Sequence, residues 1–344
     1  MVTIKDIANL AGVSKTTVSK VLNNKDQKIS ESTRQKILNI VRENNYVPNK
    51  MAQSLVTKKT KTIGLIIPDI RNPFFTDIAR GAEDKAVREG YNIILCNTDE
   101  NIEKETRAFN TLTEKMVDGI IFAPSSKTEV NSNEYKISSK PIVLVDKELN
   151  IENLKGVVSL DNEEGTYLGT KYLVGINHKD ILYLSGPLKS EISINRLKGY
   201  KKALKESNIK FNEDLVIQGE YSFEWGYKVV KNLDEINFTA ICAANDLIAI
   251  GAIKALKERG IKIPQDISIV GFDDIQTANI IEPQLTTIKQ NSYDMGYESA
   301  SMLINNLENK EINNIEKMIF KPELVIRSST SQNFRGGRLW RRYV

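Results

Sequence analysis

The stretch AGVSKTTVSKVLNN, residues 11–24, sets four short hydroxyls and two lysines into an apolar-periodic run directly after a glycine. Lysine ammonium groups can donate to guanine O6 and N7, and hydroxyls can reach base edges or phosphate oxygens. At helical spacing Lys15, Thr16 and Lys20 fall near the face opposite Val18, Val21 and Leu22. Short side chains at Thr16 and Thr17 let such a helix bring its backbone close to base edges. Its N-terminus, with Ser14, also suits a phosphate. The chemistry on offer is docking on duplex nucleic acid. A three-helix domain with an ordinary polar exterior is the alternative.

A second set of residues falls at the ends of apolar runs further along. Asn72, Pro73, Phe74 and Phe75 follow TIGLIIPDIR, Asp146 ends PIVLVD, and Arg196 precedes the KGYKKAL helix. Tyr221 follows LVIQGE, Asn245 and Asp246 end TAICAA, Asp273 and Asp274 end SIVGF, and Gln290 ends LTTIK. Aromatic rings cover the apolar faces of a sugar, while Asp, Asn, Arg and Gln are planar hydrogen-bond partners for its hydroxyls. Asn-Pro and Asp-Asp pairs are also common turn and cap formers. Arg196 could pair with a ligand carboxylate, with Asp273 or with Glu191. A neutral sugar and a sugar acid both remain open.

The elements that must position these groups are legible from periodicity and capping. Thr3-x-x-Asp6 predicts the start of one helix, Ser14 caps a second through about Leu22, and Ser30 caps a third through about Asn44. Ala11-Gly12-Val13 is the turn between the first two, which is the helix-turn-helix signature. Tyr46-Val47-Pro48 stops the third helix. A short helical segment from Asn49 to about Leu55 leads into a polar, basic linker, Thr57 to Lys61.

From Thr62 the pattern becomes strands alternating with amphipathic helices. TIGLIIPD, NIILCNT, DGIIFAP and PIVLVD form one series. GVVSLD, DILYLSG, LVIQG, TAICAAN and SIVGFDD form another, spaced by helices around residues 163–175, 191–207, 224–235 and 246–259. Continuous Val/Ile/Leu strands between helices imply parallel sheets covered on both faces. Roughly nine strands fit two doubly wound lobes with a cleft at the strand carboxyl ends. A helix over 292–308 and the strand-like MIFKPELVIR are expected to return across the lobe boundary.

The expected organisation is therefore an all-α helix-turn-helix headpiece over 1–48, a hinge helix and linker over 49–61, and an α/β body over 62–330. In that body, lobe 1 spans about 62–160 and 291–322, and lobe 2 about 161–290. Residues 331–344 form a basic tail, expected to be disordered.

Composition bounds the function. Residues 1–61 carry a net charge of +8, the last ten residues add +4, and the stretch between carries −8. A basic head on an acidic body suggests that the head meets a polyanion. No apolar run spans a bilayer and no signal peptide opens the chain, so cytoplasm is expected and a membrane partner is not. Cys96 and Cys242 read as buried thiols, with no disulfide framework or metal site. No G-x-G-x-x-G, Walker A or G-x-S-x-G pattern appears, and no enzyme, cofactor or catalytic residue is expected. The single histidine, His178, reads as a solvated loop residue before a strand.

The N-terminal TIKDIANLAGVSKTTVSKVLNN and ISESTRQKILNIVRENNYVPNKMAQSL resemble the LacI/GalR family of bacterial transcription regulators. The likeness continues through TIGLIIPDIRNPFF, VDGIIFAP, RLKGY, AANDLIAIGA, SIVGFDD and PQLTTIKQ, from residue 2 to about 330. It implies a headpiece, a hinge helix and a dimerising two-lobed body of the periplasmic-binding-protein type. The resemblance gives Lys15, Thr16 and Lys20 base-reading positions, and Ser14, Thr17, Ser19 and Asn23 phosphate-contact positions. It puts Asn49 and Leu55 in the DNA-contacting hinge, with Leu55 as a minor-groove wedge. It also gives Asn72, Phe74, Asp146, Arg196, Tyr221, Asn245, Asp273 and Gln290 effector-contact positions. The implied protein is a homodimeric repressor of carbohydrate-utilisation genes, binding a pseudo-palindromic operator and controlled by a sugar or sugar acid. A catabolite-control regulator answering to a phosphorylated phosphocarrier protein is the second reading. Glu298, Ser301 and Met302 stand where that branch carries a basic patch, which argues against it.

Overall fold

The computed structural model describes residues 2–23, 26–46, 59–127, 139–308 and 314–334. The chain divides into two compact units, Met1–Thr60 and Lys61–Val344.

In the first unit, α1 spans Ile4–Ala11, α2 Lys15–Leu22 and α3 Glu31–Glu43. Each begins where a side-chain oxygen meets an otherwise orphaned N–H group. Thr3 and Asp6 form a reciprocal capping box, the Asp6 carboxylate accepting from the Thr3 backbone at 2.9 Å. Ser14 Oγ accepts from Thr17 N at 3.1 Å, and Ser30 Oγ from Thr33 N at 3.3 Å. Gly12 ends α1 at φ +70°, a left-handed conformation that turns the chain directly into α2. Ile7, Ala8, Ala11, Val18, Val21 and Ile37 form the buried core. The expected hinge helix, with Asn49 and Leu55, lies outside the described residues.

The second unit holds two six-stranded sheets among its described residues. The first sheet contains β1 (Thr62–Ile67), β2 (Asn92–Asn97), β3 (Gly119–Phe122), β4 (Ile142–Val145) and β5 (Leu154–Leu160). Helices α4 (Pro73–Arg88) and α5 (Ile102–Glu114) connect its first strands. The second sheet contains β6 (Ile181–Ser185), β7 (Val216–Gln218), β8 (Ala240–Ala243), β9 (Ser268–Asp273) and β10 (Thr286–Lys289). Around it run α6 (Asn162–Gly175), α7 (Glu191–Glu206), α8 (Phe223–Lys231) and α9 (Asp246–Glu258). Then α10 (Ser292–Glu308) leads to β11 (Glu316–Phe320) and β12 (Glu323–Val325).

Strand orders are β11-β5-β4-β3-β1-β2 and β12-β10-β9-β8-β6-β7. All pairings are parallel except that of β12 with β10. Strands β3, β4, β6, β8 and β9 are buried at every residue, as their apolar runs require.

Several expectations need correction. GVVSLD, read as opening the second series, is part of β5 in the first sheet. Apolar periodicity identifies a strand but not its neighbours. The helix expected to reach residue 235 ends at Lys231, and Leu233 and Ile236 pack on the core as non-helical chain. MIFKPELVIR splits at Lys321-Pro322, with β11 joining the first sheet and β12 the second. Ser331 and Asn333, grouped with the tail, bond the second lobe through Ser331 N to Ser268 Oγ and Asn333 N to Ile176 O. Residues 335–344 lie outside the described residues. Cys242 is buried but Cys96, near the edge of the first sheet, is only half-buried.

His178 is not solvated: it is 3 % exposed. Its Nδ1 pairs with Thr239 Oγ1 and its Nε2 with Ser268 Oγ, each at 2.9 Å. Burial pushes its pKa down, so the ring is a neutral clasp under the C-terminal segment.

Candidate functional site

On α2, Lys15, Thr16 and Lys20 are exposed while Val18 and Val21 are buried, so one helix carries a core face and a cationic hydroxyl face. Thr17 and Ser19 are half-buried, and Ser14 and Asn23 are exposed. The Ser14 and Thr17 hydroxyls lie 2.9 Å apart, and the Asn23 amide donates to Ser19 O at 2.7 Å. These bonds fix the two ends of the helix and orient its polar groups. The exposed row has the donor chemistry that phosphate and base-edge contact needs.

In the body, all eight expected effector-contact residues line one cavity of about 220 Å³. Asn72, Phe74 and Asp146 come from the first lobe; Arg196, Tyr221, Asn245 and Asp273 come from the second, and Gln290 follows β10. A parallel αβ fold collects these side chains because its strand ends open on one edge of each sheet.

Two of the asparagines also act as helix caps. Asn72 Oδ1 accepts from Phe74 N at 3.1 Å, and Asn245 Oδ1 accepts from Ile248 N at 2.9 Å. Capping uses the carbonyl oxygen of each amide and keeps the NH2 group as a donor. Capping and ligand contact are therefore compatible in one residue.

Arg196 is the centre of the site and is 3 % exposed. Its guanidinium lies 3.7 Å from the centroid of the Phe272 ring and 5.8 Å from that of Tyr221. Nε donates to Asn162 Oδ1 at 2.8 Å, and Nη1 donates to Ala244 O. Nη1 stands 4.0 Å from Asp273 Oδ1, which makes Asp273 rather than Glu191 its ion-pair partner. Gln290 Nε2 donates to the same Asp273 oxygen at 2.7 Å.

The two central carboxyls titrate high. Burial pushes Asp146 up to about 6, against the opposing pull of Arg196 and Lys147. Burial likewise pushes Asp273 up to about 7, with Arg196 and the Gln290 hydrogen bond pulling down. Both residues hold positive φ, +76° at Asp146 and +121° at Asp273. Such backbone costs about 1–3 kcal/mol per residue and concentrates at functional sites. Asp274, at φ +58°, turns elsewhere and takes Arg327 Nη2 at 2.6 Å.

Sequence reasoning missed several contributors. Phe272 and Asn162 hold Arg196 from above and beside, and neither has a local signature. Glu100 lines the cavity and organises its wall, accepting from Ser125 Oγ at 2.6 Å and from Ser126 N and Oγ at 2.8 Å. Asp246, which the sequence set beside Asn245 as a strand-end candidate, does not line the cavity: the first residue of α9, it is fully buried and accepts from Thr287 Oγ1 at 2.6 Å and Ile275 N at 2.9 Å. Its carboxyl is pushed up by burial and by the charge of Asp273. Gly271 makes room for it, since a Cβ there would lie 2.1 Å from Asp246 Oδ1. The described residues contain no His/Cys/Asp/Glu group able to hold a metal ion. They contain no helix long and apolar enough to cross a membrane.

Comparison with known proteins accounts for both units. Residues 3–49 match the family of bacterial regulatory proteins of the lacI type, and residues 60–326 match the family described as periplasmic binding proteins and sugar binding domain of LacI family. The HTH-type transcriptional regulator RegA of Clostridium saccharobutylicum is 39 % identical over 332 residues, covering 95 % of this chain and 98 % of that one. Catabolite control protein A of Priestia megaterium is 38 % identical, covering 90 % and 93 % respectively. The crystal structure of the lac repressor dimer bound to operator and the anti-inducer ONPF aligns with a TM-score of 0.84 at 28 % identity, over 96 % of this chain and 99 % of that one. With a matched regulatory headpiece, a matched sugar-binding-type body and relatives of this identity along nearly its whole length, the chain belongs to the LacI family of bacterial transcription regulators.

Proposed function

We propose that this chain is a repressor that binds a pseudo-palindromic operator as a homodimer and is controlled by a sugar or sugar acid held between the lobes of its body. The convergence on one cavity of eight residues from strand ends and the helices that follow them is the observation that carries the effector reading. Lys15, Thr16 and Lys20 read base edges from α2, and Ser14, Thr17, Ser19 and Asn23 contact phosphates. Asn49 and Leu55, outside the described residues, belong to the hinge. One headpiece reaches only a few base pairs, so two of them on related half-sites supply the affinity that one lacks.

The effector acts by differential affinity for two lobe arrangements, since a ligand that binds both equally shifts nothing. A thermal-shift screen of sugars and sugar acids tests the cleft. At about a hundred times its dissociation constant a one-site ligand adds roughly 2.7 kcal/mol of stability. A screen in which no such compound raises the melting temperature contradicts the effector assignment.

The catabolite-control reading gains nothing from the geometry of α10. Met302 is 6 % exposed and packs into the core, while Glu298 and Ser301 are half-buried and carry no positive charge.

A further inference from the structure

Resting on the effector-cleft reading above, we infer that Asp246, which lies outside the cavity, is a positioning residue for the site. Its buried carboxyl holds together the three second-lobe segments that carry Asn245, Asp273 and Gln290.

The segment between β9 and the short 3-10 turn Gln276–Asn279 needs holding because its backbone is strained. Asp273 and Asp274 stand in succession at φ +121° and +58°. Such conformations persist only where the surrounding structure over-determines them. Three groups grip this turn. Gln290 Nε2 donates to Asp273 Oδ1 at 2.7 Å from the cavity wall, and Arg327 Nη2 donates to Asp274 Oδ1 at 2.6 Å. Both hold side chains. Asp246 holds the backbone itself: its Oδ2 accepts from Ile275 N at 2.9 Å, directly after the two strained residues.

The other oxygen of the same carboxyl ties in the remaining segments. Asp246 Oδ1 accepts from Thr287 Oγ1 at 2.6 Å. Thr287 sits in β10 opposite Gly271 of β9, and β10 leads directly to Gln290. Asn245, which lines the cavity, immediately precedes Asp246 in the chain. One side chain therefore fixes the mutual placement of an amide, a carboxyl and a second amide that face the effector.

An acid in the first turn of a helix is ordinarily explained by the helix dipole. That explanation does not fit here. Asn245 already caps α9, and both Asp246 oxygens bond other elements rather than the helix's own N–H groups. The carboxyl is also fully buried, where an acid is costly. Gly271 weakens the interior of a buried strand in order to admit it, since an added Cβ would lie 2.1 Å from Oδ1. Two locally unfavourable residues thus serve one bracket, and such departures concentrate at functional sites.

The test uses the full chain. Calorimetry gives its affinity for whichever of glucose, ribose, gluconate and glucuronate raises the melting temperature most. Asp246→Asn leaves one acceptor oxygen for two donors, and Thr287→Val removes one donor at nearly constant volume. Each is expected to weaken binding by about tenfold or more. Thr287→Ser keeps the hydroxyl and is expected to bind as the unsubstituted chain does. Leu256→Ala opens a cavity at the far end of α9, so it is expected to lower the melting temperature and leave affinity unchanged. Should Asp246→Asn not fold, Thr287→Val against Thr287→Ser carries the comparison. Unchanged affinity in either folded variant that breaks the bracket, or an equal loss in Leu256→Ala, overturns the inference while the cleft assignment stands. An unsubstituted chain that binds none of the four probes removes both.

Discussion

At the scale of single residues, the cavity balances one buried cation against two buried carboxyls. Removing Arg196 takes the largest favourable charge from Asp146 and Asp273, leaving Lys147 beside the first and the Gln290 hydrogen bond on the second, and breaking a buried pair from one side typically costs about 3–5 kcal/mol. Arg196→Ala is expected to lose that much in urea unfolding at pH 7.5, and markedly less at pH 5, where both carboxyls take up protons. An equal loss at both pH values would show that Arg196 acts by packing alone. In the intact protein both carboxyls titrate higher folded than unfolded, at about 6 and about 7. They therefore favour the fold below their unfolded value of about 4 and lose that contribution as pH rises through 6 to 7. Ligand hydroxyls that donate to the ionised forms reverse the preference, so binding near pH 6 should release protons and weaken as pH falls. Calorimetry in buffers of different ionisation enthalpy reads this directly; a binding heat independent of buffer would contradict it. Most of the eight effector-contact residues were legible because polar and aromatic groups at strand ends stand out from apolar runs; Arg196, inside α7, stood out through the family resemblance, which also selected among the rest. Phe272 was hidden inside such a run. His178 was misread because its partners lie 61, 90 and 153 residues away, where no local pattern reaches.

At the scale of elements, caps and turns carried most of the information. Thr3, Ser14 and Ser30 each start a helix where their side chains accept a backbone N–H. Gly12 is exposed at φ +70° with nothing within 4 Å of an added Cβ, so Gly12→Ala meets only the conformational cost. That cost is about 1–2 kcal/mol for a non-glycine in this region. A corresponding loss in the thermal stability of the headpiece transition is expected, with body unfolding unchanged; no change would mean that the turn relaxes without penalty. The strands of the two lobes were readable from continuous Val/Ile/Leu runs. Strand β10 was harder, because its buried Thr286 and Thr287 serve hydrogen bonds to Ser329, Thr330, Arg327 and Asp246 rather than apolar packing. Sheet membership was the other weak point. Nothing in GVVSLD says that it pairs with β4 and β11, since pairing is decided by chain crossings that periodicity does not encode.

At the scale of the whole molecule, the account joins a basic head to an acidic sensor. The net charge of +8 on residues 1–61 and −8 on the stretch before the last ten residues divides the labour between the parts. Phosphate contact by the head releases condensed counterions, which gives a log–log salt slope of about −0.9 per phosphate neutralised. The most direct test follows the full chain by fluorescence anisotropy on a pseudo-palindromic operator duplex selected from random sequence. It is titrated from low to physiological salt, with and without a sugar that stabilises the body. The account predicts a steep negative salt slope, loss of operator binding in Lys15→Ala/Lys20→Ala, and an affinity that the sugar changes in one direction. A slope near zero, or binding indifferent both to the two lysines and to the sugar, would contradict it.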